Sequence, residues 1–399
     1  MNPILFDPWS PEFIADPFAG YTELRDRHPV HYYSATDQWL VSRHEDVGRC
    51  LRDPRVVRSY LHAATDEDMG RAPAPRWQEP FWRLNFGSLD AEPPDHTRLR
   101  RLLGPPFTVR AVDALGPRCD TLARSLVDDL VRRGGGDLLS VVAEPLALAL
   151  ICDIVGVPED DRHLMAPWAS GISGLFVPNH SARDAADAVR ASAEFDSYLR
   201  RLARHTPPDH PGVMGSMVAA LRGGGISEQE LVCSAAMLLT GGLDSGRRMV
   251  TMAVLTLLHH PDQWRLLGRT PELMPTALEE LIRYDSPIHM FERWALEDID
   301  LDGVRIPRGA EIALLFGSAD RDPRRFADPD RLDLTRSPNP HLGLGAGVHF
   351  CLGVHLVRRE VRAVLEALAE RAPNLRLTAE PGWGPGYNLR SPVELRVEV

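Results

Sequence analysis

Residues Ser227 to His259 place the tightest limit on how this chain can fold. Ser227 and Glu230 make a Ser-x-x-Glu capping box, in which each side chain satisfies the other residue's free backbone N–H. The pattern predicts a helix from there to about His259, roughly 50 Å long at about 1.5 Å per residue. Its first half, LVCSAAMLLTGGLDSG, is apolar on nearly all sides, so it should be buried. Two adjacent glycines, Gly241 and Gly242, interrupt it, each costing about 1 kcal/mol in a helix interior. Asp244 follows within the same apolar run, where an uncompensated acid is strongly destabilising. That much local cost at one point predicts a site, against the plainer alternative of a kink filled by packing.

The second constraint is HLGLGAGVHFCLGVHLVRR, His341 to Arg359. A loop punctuated by Gly343, Gly345 and Gly347 leads through His349 to Cys351, and an apolar-periodic helix begins near Gly353. Glycines let a flat ligand lie close against the backbone. A cysteine at a helix start has its thiolate stabilised by free N–H groups and the positive dipole end, which is what an axial heme ligand needs. Three other readings compete. A lone cysteine is often a buried small hydrophobe. The Gly-x-Gly-x-Gly run lacks the preceding apolar strand and following acid of a dinucleotide loop. His349, Cys351 and His355 have no CxxC or HxxxH partner pair at zinc spacing.

LGAGVHFCLG resembles the heme-binding signature of the cytochrome P450 family, Phe-Gly-x-Gly-x-His-x-Cys-x-Gly, with Leu344 where the family usually has Phe. The resemblance implies heme b (iron protoporphyrin IX) with Cys351 as axial thiolate and His349 beside the cofactor. The Leu344 departure bears on the surroundings of the sulfur and on the reduction potential. DAEPPDHTRLRRLL is similar to the family's propionate-binding stretch, which assigns heme contacts to His96 and Arg100; four apart, they share a helical face. Arg293 matches the family's propionate-binding arginine. The GGLDS segment resembles the oxygen-binding Gly-Gly-x-Asp-Thr, with Ser245 where Thr is usual. That implies a local widening of the helix and a proton relay through Asp244 and Ser245. Glu280 and Arg283, with Arg331 of PDRLD, match a structural ion network.

The same resemblance implies substrate contacts. Phe81, Trp82 and Phe86 lie in the Pro-rich stretch 61–90, which reads as a surface loop on composition and as a lid by resemblance. Trp168 and Phe176 fall in the mobile roof of the pocket. Gly241 sits on the long helix, His289, Met290 and Phe291 precede Arg293, and Asn388 lies in the last loop.

The match runs through nearly the whole chain. It implies one domain over 1–399, mainly α with small β-sheets, with heme held between the long helix and the cysteine-bearing helix. With 399 residues, 44% hydrophobic, the chain can bury a large core, and its length alone would allow two or three domains or a single one. Net charge of −11 argues against nonspecific nucleic-acid binding. All 45 basic residues are Arg, which suggests a GC-rich genome. Five scattered cysteines read as reduced and cytoplasmic. No signal peptide opens the chain and no run approaches eighteen apolar residues, so no membrane is expected.

The function implied is a monomeric heme-thiolate monooxygenase. It would use dioxygen to hydroxylate or epoxidise a medium-to-large apolar or aromatic small molecule, in secondary-metabolite (antibiotic) biosynthesis. A ferredoxin and its reductase would supply electrons, docking at Arg98, Arg101, Arg358 and Arg359. Three alternatives remain at this point. One is non-hydroxylating oxidation such as ring formation or coupling. A heme-thiolate sensor would not need Asp244 with Ser245, and a helper protein without catalysis would be expected to lose Cys351.

Overall fold

The computed structural model describes residues 6–85, 87–176 and 180–399, so Phe86 lies outside the described residues. Eight helices place the site: α1 Asp95–Leu103, α2 Val109–Arg132, α3 Glu144–Val155, α4 Met165–Ser173, α5 Ala182–His205, α6 Glu228–His259, α7 Met274–Tyr284 and α8 Val354–Arg371. Helix α6 is the long helix expected from the capping box. Ser227 Oγ accepts the Glu230 N–H at 3.1 Å, and Glu230 Oε2 accepts the Ser227 N–H at 2.7 Å. Arg98 of α1 also donates to Glu230, so the cap ties two helices together.

Helices α3 and α8 cross α6, and α2 packs on α8. Leu146 and Leu150 of α3, Leu239 and Met249 of α6, and Val364 and Leu368 of α8 belong to one buried cluster. Small residues set how closely these helices approach. A Cβ at Gly242 would lie 2.6 Å from Ile151, and one at Gly246 would lie 2.7 Å from Glu360 and 3.1 Å from Ala147. At Gly241 a Cβ would meet nothing within 4 Å. The helix stays α-helical through this stretch, so the expected local widening is absent. The hydroxyl of Ser245 instead donates back to the Gly241 carbonyl at 2.5 Å.

A five-stranded sheet forms the second part: β1 Val30–Tyr33, β2 Gln38–Val41, β3 Val56–Val57, β4 Met290–Ala295 and β5 Glu311–Leu315. The order is β1-β2-β5-β4-β3, antiparallel except for β2 with β5. Side chains alternate across a strand. Met290 therefore joins the cluster around Phe6 and Tyr21, while Phe291 packs against the cluster on the other face. Among the described residues, no helix is long and apolar enough to cross a membrane.

The ion network corrects one expectation. Glu280 and Arg283 are fully buried, with Arg283 Nε and Nη2 donating to Glu280 at 2.7 and 2.8 Å. The third member is Arg336, whose Nε lies 3.0 and 3.2 Å from the two Glu280 oxygens. Arg331 takes part only through its backbone carbonyl, which accepts from Arg283 and Arg336. Its guanidinium is 68% exposed, beside Asp333 at 3.9 Å. The motif located the right loop, but the turn there sends Arg331 outward and a residue five positions later inward. Arg336→Ala is expected to lower unfolding free energy by about 1–3 kcal/mol, because a buried carboxylate loses a charged donor. Arg331→Ala is expected to stay within about 0.5 kcal/mol. Urea unfolding midpoints of the two variants test the ordering.

Candidate functional site

Cys351 closes the glycine loop just before α8. Its backbone N–H donates to the Leu344 carbonyl at 3.0 Å, which folds the loop into a tight return. Gly345 and Gly347 take φ of +72° and +69°, and a Cβ at Gly347 would lie 2.2 Å from the Leu51 carbonyl oxygen. Only glycine fits there. The sulfur faces a cavity of about 290 Å³ between α6 and this loop. Burial pushes the Cys351 thiol up, while the Gly353 N–H and the Arg100 and Arg358 cations pull against it.

The cavity is two-sided in chemistry. Its walls are apolar, with Ile151, Met237, Leu238, Met249 and Phe316 among them, and Gly241 and Ser245 face it from α6. One edge is polar and mostly cationic. His96, Arg100, Arg293, His349 and Arg58 line it. Both ring nitrogens of His96 are buried without a hydrogen-bond partner. Burial, then His349 and Arg100, lowers the His96 pKa to about 4. Burial and then Arg58 lower that of Arg293 to about 10. Burial likewise lowers Arg100. Among the described residues, no carboxylate lies within ion-pair distance of Arg100 or Arg293, whose guanidiniums donate to the Val348 and Glu292 carbonyls.

These residues fit heme. An apolar cavity with one thiol in its lining and glycines from both α6 and the cysteine loop suits a flat macrocycle. The orphaned His96 nitrogens and desolvated arginines require anions, as two propionates would supply. Sequence expectation and geometry thus coincide on Cys351, His96, Arg100 and Arg293 at one cavity. His349 is there too, but both its ring nitrogens already face protein acceptors.

The relay pair is arranged differently from the expectation. Arg247 donates to Asp244 Oδ1 at 2.7 and 3.1 Å and Arg248 to Oδ2 at 3.0 Å. Arg247 also reaches Glu144 of α3 at 2.5 Å. Burial pushes the Asp244 carboxyl up, but the two guanidiniums outweigh it and hold the group below the usual carboxylate range. Ser245 lines the cavity and Asp244 does not.

Of the residues placed against substrate, Gly241 and Phe291 line the cavity and the other described ones do not. Phe81 is core, edge-on to Trp82 at 5.2 Å and near Phe176 at 5.1 Å. Trp82 and Phe176 are partly exposed, at 37% and 41%. Trp168 stacks on Phe195 at 5.2 Å, and its indole donates to Glu194. His289 is buried between the Tyr21 hydroxyl at 3.2 Å and Asp285 at 3.1 Å. Met290 points to the opposite face of β4 from Phe291. Asn388 donates to the Phe176 carbonyl at 3.2 Å, joining the last loop to the roof segment.

Sequence reasoning missed Glu360. It lines the cavity from α8, is 1% exposed, and its Oε1 has no partner. The signal was present: Glu360 falls on the i, i+4 stripe of Leu356, Val364 and Leu368, all buried.

The site defines a heme-thiolate protein. A cytochrome P450 family model matches residues 270–371. Nocardicin C N-oxygenase from Nocardia uniformis subsp. tsuyamanensis is 37% identical over 402 residues, covering 98% of this chain and 97% of that protein. Two solved structures are similar. P450BioI with a hexadec-9Z-enoic acid-ligated acyl carrier protein has a TM-score of 0.89 at 32% identity, covering 98% of this chain and 100% of that one. The enzyme CxnD for C–S bond formation in chuangxinmycin biosynthesis has a TM-score of 0.86 at 32% identity, covering 97% and 96%. The chain belongs to the cytochrome P450 family. It is a P450 monooxygenase whose cofactor is heme b on the Cys351 thiolate.

Burial raises the Glu360 pKa to about 8, well above the ordinary value of about 4.3. The native state therefore retains this proton where the unfolded chain loses it. The stability this confers is fully present below the ordinary value and disappears as pH rises through about 8. Glu360→Gln has no such loss, so its stability relative to the natural protein should increase between pH 5 and pH 8.5. Denaturant midpoints at the two pH values measure this.

Proposed function

We propose that this P450 oxidises a medium-to-large apolar or aromatic small molecule in bacterial secondary-metabolite biosynthesis. In this reading it is a single catalytic domain, cytoplasmic and monomeric, reduced by a ferredoxin and its reductase. The observation that carries the proposal is the cavity itself. One space joins the thiol, the cations that match propionates, and an apolar wall open at Gly241 and Ser245. Bound heme supplies activation of dioxygen and oxygen transfer. The chain's share is to bind, orient and protonate. His96, Arg100 and Arg293 hold the cofactor's carboxylates, and Ile151, Met237, Leu238 and Phe291 exclude water. Ser245 Oγ, which donates to the Gly241 carbonyl, holds a hydroxyl proton on the α6 wall of the cavity. Asp244, fixed between Arg247 and Arg248, acts through the field it sets rather than through a bond to Ser245.

Oxidative bond formation is the second reading. It is favoured by the likeness to CxnD and by Ser245, whose smaller side chain lacks the methyl that stiffens χ1 in Thr. The likeness to a carrier-protein complex supports testing a carrier-bound substrate beside free ones.

Three of the four arginines expected at a ferredoxin dock are paired. Arg98 pairs with Asp95 and Glu230, Arg358 with Glu279, and Arg359 with Asp120. Arg101 and Arg110 are exposed, as are Val348 and Phe350 of the cysteine loop, and the neighbouring Arg100 donates to the Val348 carbonyl at 3.3 Å. We place the dock there.

Three measurements test these statements. The reduced, carbon monoxide-treated protein should show a long-wavelength Soret band that Cys351→Ser loses, and ligand panels read by spin state then identify the substrate. Ser245→Ala should raise peroxide released relative to product, by less than the roughly 10²-fold typical of a lost general acid because water substitutes for the hydroxyl; unchanged coupling would remove Ser245 from the proton path. Arg101→Glu should slow ferredoxin-driven reduction and flatten its salt dependence.

A further inference from the structure

Two guanidiniums meet at the polar edge of the cavity, and of the two, Arg58 alone has a carboxylate partner among the described residues. Strand β3 pairs with β4 in the register Val56 to Ala295 and Val57 to Trp294. Continued by one residue, that register brings Arg58 opposite Arg293. Like charges facing each other across two strands are destabilising, and after burial it is Arg58 that most lowers the Arg293 pKa. One ring keeps the two together. The Arg58 and Arg293 Cζ atoms lie 4.5 and 5.9 Å from the centroid of Phe291. Asp90, itself part of the cavity lining and 11% exposed at its side chain, accepts from Arg58 Nε. The Arg58 backbone N–H donates to Glu92 at 2.6 Å, so main chain and side chain are both anchored. A guanidinium carries five N–H donors in one rigid plane. Arg283 and Arg358 each turn two nitrogens onto their glutamates. Arg58 gives Asp90 only Nε, and among the described residues neither of its Nη groups has a partner.

We propose that Arg58 is a further cofactor-binding residue, its open Nη groups closing with Arg293 on one heme carboxylate while Asp90 holds it by Nε. Asp90 is then a positioning residue that aims the fork. The charges balance. Arg58 and Asp90 cancel, so Arg100 and Arg293 remain for two carboxylates, and Arg58 adds donors without adding net charge. An anion between Arg58 and Arg293 also relieves the repulsion that their register imposes. Guanidinium and carboxylate form charge-assisted bonds, which are among the stronger side-chain contacts available. The arrangement ties β3, a two-residue strand at the sheet edge, to the cofactor. The inference rests on the reading that this edge receives the heme carboxylates, which an Arg293 variant tests separately.

Transfer of heme from the purified holoenzyme to excess apomyoglobin tests the proposal, using R58Q, D90N, the R58Q/D90N pair and R293Q. R58Q should speed transfer about tenfold, as the loss of one charge-assisted bond implies. The double variant should in turn transfer heme faster than D90N. If Arg58 served only Asp90, those two would match. Resonance Raman spectra add a readout that a merely structural role would not move: the propionate bending bands should shift in R58Q and in R293Q. Transfer from R58Q at the natural rate, a double variant no faster than D90N, or unshifted bands in R58Q would each overturn the proposal. If R293Q responds and R58Q does not, only the role of Arg58 falls. If neither responds, the reading of the edge falls with it. Should R58Q not fold, R58K decides the matter, because it keeps the charge and loses the planar fork. Shifted bands in R58K support the proposal, and unchanged bands overturn it.

Discussion

The closeness of α3 and α8 to α6 is the constraint on which the remaining structure depends. Gly242 admits Ile151, and Gly246 admits Ala147 and Glu360, at distances that a Cβ would forbid. Because those helices approach so nearly, the cysteine loop ending in α8 is held opposite α6 and not beside it. The same absence of side chain at Gly241 has the reverse effect, since nothing fills the space. Three glycines within six residues thus make two contacts and one opening. Their combined helix-propensity cost, about 1 kcal/mol each, is small beside the packing of apolar side chains that the two crossings bury.

The main lines of the fold could be read from local chemistry. The capping box, the apolar run of α6, the strand pair β1–β2 and the glycine loop before Cys351 each follow from rules acting within a few residues. The gathering of His96, Arg100 and Cys351 at one cavity was legible through the chain's resemblance to the family's motifs, with helical spacing showing only that His96 and Arg100 share a face. What could not be read was the direction of side chains across elements. Arg331 and Arg336 lie on one loop, and only its path decides which guanidinium reaches Glu280. Met290 and Phe291 are neighbours, yet strand alternation sends one to each face. Trp168 looked like a pocket residue by position, and packing between Phe195 and Tyr198 claims it instead. Asp244 was expected as a relay acid, but nothing local to it showed that Arg247 and Arg248, which follow it in the same helix, clamp its carboxylate.

With Arg as its sole basic side chain besides His, the protein settles many buried acids in the same way. Glu280, Glu279 and Asp244 each accept from at least one guanidinium. A planar fork matches a carboxylate with two parallel bonds, so these pairs fix direction as well as charge. Among the described residues, Arg100 and Arg293 have no carboxylate within ion-pair distance and Glu360 no cation, and all three border the same cavity.

Glu230 has one further meaning. It closes the first turn of α6 and also receives Arg98 from α1, the helix that carries His96 and Arg100. The cofactor's carboxylates and the free N–H groups at the head of the longest helix are thereby connected through a single glutamate. A change at Glu230 would therefore loosen two things at once, the cap of α6 and the anchorage of the helix that presents His96 and Arg100.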